Sequence, residues 1–66
     1  MQIFVNGEEK QVPDGCSMAA LISSLDLAGQ RIAVEVNEEL VPRSTLENHA
    51  LQPGDRVEIV NAIGGG

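Results

Sequence analysis

A chain of 66 residues can enclose one small core and no more, because a domain of this size buries only about 60% of the surface its unfolded form exposes. With 42% hydrophobic and 21% charged residues, its composition is globular and excludes a disordered tail, a collagen strand or a coiled coil. Ten Asp and Glu against four Lys and Arg leave a net charge of -6, which repels nucleic-acid phosphates and anionic lipid. With no Trp, no Tyr and one Phe the chain lacks the set of rings on which successive bases could stack. The expected partners are neutral or basic. A lone Cys16 makes no internal disulfide, residues 1–5 run into Asn6-Gly7 without a basic leader, and no window approaches the ~20 apolar residues of a membrane span. The expected location is cytoplasmic.

Residues 1–5 are β-prone and stop at Asn6-Gly7, a strong hairpin signal, after which residues 9–12 return antiparallel. Pro13-Asp14-Gly15 breaks the hairpin. Ser17 stands at an N-cap ahead of Met18, Leu21, Ile22 and Leu25, the spacing of an amphipathic helix, and Gly29 closes the helical region. Ile32, Val34 and Val36 then alternate with Ala33 and Glu35, the period of a strand with one buried face. Asn37-Glu38-Glu39 turns the chain, Leu40-Val41 gives a very short strand that Pro42 ends, and residues 43–48 form an irregular crossover. Gln52-Pro53-Gly54-Asp55 is a turn into a last strand over residues 56–62.

These elements define an α+β fold, a mixed four- to five-stranded sheet with one main helix on one face. Inward parity selects Ile3, Val5, Leu21, Ile22, Leu25, Ile32, Val34, Val36, Leu46, Leu51, Val57 and Ile59 as the core. The same parity leaves Phe4, Ala33, Glu35, Glu58, Val60 and Ala62 on an uncovered face, where Phe4, Val60 and Ala62 lead to Ile63 and suit a partner's surface.

One Cys and one His, without a Cys-x-x-Cys or His-x-x-x-His pair, build no metal site, and no residue is expected to be catalytic. Cys16 before the helix is read as a turn residue and His49 as a loop residue, with nothing to suggest that they meet. The chain's end is different: Ile63 is followed by Gly64, Gly65 and Gly66. At ~7% glycine usage three in a row at the terminus arise in roughly one chain in 3,000. Glycine lacks a Cβ, so Gly64 and Gly65 can thread a channel too narrow for other residues, and four residues from Ile63 reach ~14 Å. The Gly66 carboxylate is then a handle, which another enzyme must activate before a nucleophile can attack it. The domain is expected over residues 1–63, with 64–66 a flexible tail.

Four segments in order carry a family resemblance: the opening Met-x-Ile-x-Val-Asn-Gly, Val36-Asn37 leading to Val41-Pro42-Arg43-Ser44, Pro53-Gly54-Asp55-Arg56-Val57-Glu58-Ile59-Val60, and Ile63-Gly64-Gly65-Gly66. With them the whole chain resembles the ThiS family of sulfur carrier proteins of thiamine biosynthesis, which have the ubiquitin-like β-grasp fold. One departure is Leu46, where the family often has Trp. The resemblance implies that an E1-like adenylating enzyme of the ThiF type uses ATP and Mg²⁺ to adenylate Gly66. Sulfur from a cysteine desulfurase then makes a thiocarboxylate, which thiazole synthase of the ThiG type consumes, and the carrier itself needs no bound cofactor. Alternatives are a carrier of the molybdopterin-synthase small-subunit type, a ubiquitin-like modifier and a passive β-grasp interaction module.

Overall fold

A computed structural model of the chain describes residues 1–61; Ala62, Ile63, Gly64, Gly65 and Gly66 lie outside the described residues. The β-prone opening forms strand β1 (Gln2–Val5), and the chain reverses through Asn6-Gly7 into β2 (Glu8–Gln11). Register pairs Val5 with Glu8, and the two loop residues take φ 51° and 86°. This is the two-residue turn whose twist matches an antiparallel pair and which Asn and Gly accept at least strain. The sequence places Val12 in the return strand; the structure leaves it just past β2. There its N–H still bonds to the Met1 carbonyl at 2.9 Å and its side chain is buried.

Ser17 caps helix α1 (Met18–Ser24), its Oγ accepting the Ala20 N–H at 3.1 Å. The sequence closes the helical region at Gly29, whereas the helix stops at Ser24. Asp26, at φ 61°, donates its N–H to the Ser23 carbonyl, and Leu27 donates to the Ile22 carbonyl at 3.1 Å. This pair of bonds is the left-handed stop in which an apolar residue packs just beyond the turn, and Leu27 does pack against the core. Asp26 thus occupies the position that glycine usually takes.

Strand β3 (Ile32–Val36) turns through Asn37-Glu38 into β4 (Glu39–Val41), so Glu39 belongs to the strand rather than to the turn. After Pro42 a single 3₁₀ turn, Arg43–Thr45, opens the crossover to β5 (Arg56–Asn61). The sheet order is β2-β1-β5-β3-β4, with β1 and β5 parallel and the other pairs antiparallel. It is the mixed sheet with one helix that the sequence leads one to expect.

The helix lays Met18, Leu21 and Ile22 on Ile3, Val34, Val36, Val57 and Ile59, each buried aliphatic side chain contributing about 1.5–3 kcal/mol. Val12, Met18 and Val41 join this core beyond the residues expected, Met18 at the head of the helix's apolar stripe and Val41 opposite Val34, while Val5, Leu25, Ile32 and Leu46 are only half-buried against it. Ile32 and Leu46 line a groove of about 350 Å³ between the helix, β3, β4 and the crossover, which accounts for their exposure. Before β5 the chain is held by buried Asp55, whose carboxylate accepts the Gln52 N–H at 2.8 Å and the Asn37 side-chain amide at 3.1 Å.

Candidate functional site

Strand β5 is the central strand of the sheet, and its last described residue, Asn61, lies opposite Ile32. A strand hydrogen-bonded along both edges therefore leads directly to the C-terminal residues. Its two edges are reinforced by asparagine side chains at opposite ends. At its start, the Arg56 N–H donates to Asn37 Oδ1 at 3.0 Å, and the Asn37 N–H donates to the Arg56 carbonyl at 2.8 Å. Towards its end, the Ile59 N–H donates to Asn6 Oδ1 at 2.9 Å while Asn6 Nδ2 donates to the Ile59 carbonyl at 3.2 Å. Both asparagines sit at φ 51° as first residues of two-residue hairpin turns, a conformation Asn tolerates better than most residues. Sequence reasoning finds the turns but not the bonds, which join residues 53 positions apart at Asn6.

The face of the sheet away from the helix carries Phe4, Ala33, Glu35, Glu58 and Val60 by strand parity, as expected, and Arg56 besides. Val60 is 58% exposed, and Phe4 is half-buried. Phe4 pairs with Arg56, four residues before Val60, so the two apolar side chains share the face but sit about 14 Å apart. Phe4 lines a shallow depression of about 200 Å³ with Gly7, Arg56, Val57 and Glu58. Val60 instead lies opposite Ala33. Leu40 completes this second group: it is 67% exposed and lies opposite Glu35 on β4. Its signal in the sequence is the parity of Val41, whose inward side chain forces its neighbour outward. Val60 and Ala33 thus pair across β5 and β3, and in the next row Leu40 follows Glu35, which itself faces Glu58, so apolar side chains and carboxylates are interleaved over β5, β3 and β4. Ala62 and Ile63, expected to extend the patch, and Gly64, Gly65 and Gly66 lie outside the described residues.

The sequence gives no reason for Cys16 and His49 to meet, yet their segments do. Ser17 and Ala50 form a bridge, the Met18 N–H bonds to the His49 carbonyl at 2.8 Å, and the Leu51 N–H bonds to the Cys16 carbonyl at 2.9 Å. The Cys16 thiol itself points to the Ser17 carbonyl at 3.4 Å, a weak local bond rather than a pairing with the imidazole. Among the described residues no group of His, Cys, Asp and Glu could hold a metal ion, and no helix is long and apolar enough to cross a membrane.

The sheet order β2-β1-β5-β3-β4 with a single helix across one face, and a central last strand, places the molecule in the ubiquitin-like β-grasp class. The crystal structure of the thiamine biosynthesis protein ThiS from Geobacter metallireducens has this fold, with a TM-score of 0.86, 30% identity and full coverage of both chains. Residues 2–66 match the ThiS family, and the chain belongs to that family. It is 32% identical over 66 residues to the sulfur carrier protein ThiS of Escherichia coli, covering 100% of each. It is also 39% identical over 66 residues to a thiazole synthase of Paramagnetospirillum magneticum. That match takes in all of this chain but 20% of the synthase, so the chain spans about a fifth of the length of that relative.

Proposed function

We propose that this chain is a sulfur carrier of thiamine biosynthesis, a protein substrate rather than an enzyme, whose working group is the carboxylate of Gly66. The observation that carries the proposal is the family match over residues 2–66, which runs through the terminal glycines. The end-to-end similarity to the Escherichia coli sulfur carrier supports it.

In this reading the Gly66 carboxylate oxygen attacks the α-phosphorus of ATP on an E1-like adenylating enzyme of the ThiF type, and pyrophosphate leaves. Mg²⁺ and ATP belong to that enzyme. A persulfide sulfur derived from a cysteine desulfurase then displaces AMP from the acyl-adenylate, and a thiol supplies the two electrons that release the thiocarboxylate, itself ending in a disulfide. Thiazole synthase takes the sulfur and returns the carboxylate. The synthase of Paramagnetospirillum magneticum that contains a stretch like this chain supports that acceptor. Gly64 and Gly65 supply the narrow thread, and Phe4, Val60, Ala62 and Ile63, with Leu40 added by the structure, supply the surface that seats the partner. The cytoplasm, which holds both ATP and cysteine-derived sulfur, suits this chemistry and is the location we propose.

Intact mass with C-terminal fragmentation, after incubation with ATP, the activating enzyme and a sulfur source, tests this. Sulfur localised to Gly66 is the expected result, and a chain lacking Gly66 should acquire none. Fragmentation is needed because exchanging oxygen for sulfur changes the mass by nearly the same amount as oxidising Met1, Met18 or Cys16. An unmodified Gly66, under conditions that convert a known carrier, would overturn the proposal and leave a β-grasp interaction module.

A further inference from the structure

The parallel ladder between β1 and β5 should end where β1 ends, yet it continues for one more step. The Phe4 N–H donates to the Asp55 carbonyl at 2.9 Å and the Asn6 N–H to the Val57 carbonyl at 2.8 Å. The next rung of a parallel pair would need the backbone carbonyl of residue 6 to accept from Ile59 and the N–H of residue 8 to donate to Ile59. Residue 8 has already turned away into β2, where it faces Val5. The Asn6 side chain supplies both missing groups, Oδ1 for the absent carbonyl at 2.9 Å and Nδ2 for the absent N–H at 3.2 Å.

Turn geometry does not explain this arrangement, because Gly or Asp also accepts the first position of such a turn. Only an amide carries an acceptor and a donor in one plane with the spacing of a strand residue. The two bonds fall on Ile59, two residues before the end of the described chain, and they are the last described contacts on that edge of β5. On the other edge, pairing with β3 reaches Asn61.

We propose that Asn6 is a positioning residue for the C-terminal segment: acting as a surrogate strand residue, it fixes the end of β5 and so the direction in which the terminal glycines leave the sheet. This rests on the reading of Gly66 as the group a partner activates. A tail of ~14 Å reach delivers its carboxylate to a partner's site only if it starts from a fixed point, so loss of the Asn6 bonds lets that starting point wander while Phe4 and Leu40, on other strands, still present the open face.

Asn37 provides the internal control, since it grips the same strand with a side-chain amide at Arg56, the far end from the tail. The variants are Asn6→Gly and Asn37→Gly, which remove each amide while leaving glycine at a positive φ it accepts freely, and Asn6→Asp, which keeps the acceptor and loses the donor. Each is assayed well below its own melting temperature for the rate of Gly66 adenylation and for amide hydrogen exchange at Ile59 and Asn61. Asn6→Gly should lower the adenylation rate at saturating carrier about tenfold and deprotect both amides. Asn37→Gly should lower the melting temperature yet keep the rate within about twofold. Asn6→Asp keeps the acceptor for the Ile59 N–H but sets a carboxylate oxygen against the Ile59 carbonyl above about pH 4, so the protection factor at Ile59 should fall below that of the wild type there and recover at lower pH, where the neutral acid donates to that carbonyl again. A folded Asn6→Gly that is adenylated like the wild type, or one impaired no more than Asn37→Gly, overturns the role of Asn6 alone. A wild-type chain that is never adenylated overturns the reading of Gly66 and this proposal with it.

Discussion

The covered and open faces of the sheet are made by the same strands, yet they do different work. Along β5, Val57 and Ile59 are buried under the helix, while Arg56, Glu58 and Val60 between and beyond them face outward. The covered face is apolar at its centre, with Glu8, Lys10 and Glu39 only on its edge strands, and the open face interleaves apolar side chains with opposed carboxylates. Because side chains alternate along a strand, stability and recognition sit on neighbouring residues and remain separable. One register slip would exchange them, and the two asparagine grips on β5 help to prevent it.

The largest effect that could break this contrast comes from a matched pair. Ile3→Ala, at a site with 0% exposure, should lower the unfolding free energy by about 2–5 kcal/mol in urea titrations, since it removes buried methylenes and leaves a cavity. Val60→Ser should change it by less than about 0.5 kcal/mol while weakening binding to whatever protein docks on the open face. Equal destabilisation by the two would mean that the open face also helps to hold the fold together.

Much of that contrast was legible in the sequence. Period-two alternation in residues 32–36 and 56–60 assigned both faces, and Ser17 announced the start of the helix. What stayed hidden depends on contacts between distant residues. Asp26 was not readable as a helix stop because its left-handed conformation is stabilised by Leu27 meeting the core. Leu40 follows from the parity of Val41 only once Val41 is known to point inward, which a three-residue strand is too short to show by its own period. The Asn6 side chain reaching Ile59 could not be inferred, since a hairpin motif specifies its own turn and says nothing about a strand 53 residues away.

A smaller change sharpens the comparison by acting on neither face. Glu38 takes φ 72° as the second residue of the β3–β4 turn, where the equivalent residue of the β1–β2 turn is Gly7. Glu38→Gly relieves that strain and should stabilise the protein by about 0.5 kcal/mol, the gain in the folded backbone being partly offset by the greater freedom of glycine in the unfolded chain. Thermal unfolding would detect it. Affinity for an open-face partner should stay unchanged, and a loss of affinity would show that the turn itself is part of the docking surface.

The smallest expected effect tests whether the open face gives up stability for recognition. Glu35 and Glu58 are directly opposed across β3 and β5, a placement in which like charges repel. Among the described residues neither forms an ion pair, whereas the chain's amino group does pair with Asp14, at 3.3 Å. Glu58→Gln should therefore stabilise the fold by about 0.3 kcal/mol at low ionic strength, with the gain fading in about 1 M salt as the Debye length shrinks to about 3 Å. If the carboxylates steer a basic partner, the same substitution slows association at low salt and changes dissociation little. A stability gain with an unchanged association rate would make the pair a plain solvated feature, whereas opposite changes in the two would show that a repulsion within the fold is retained for its attraction outside it.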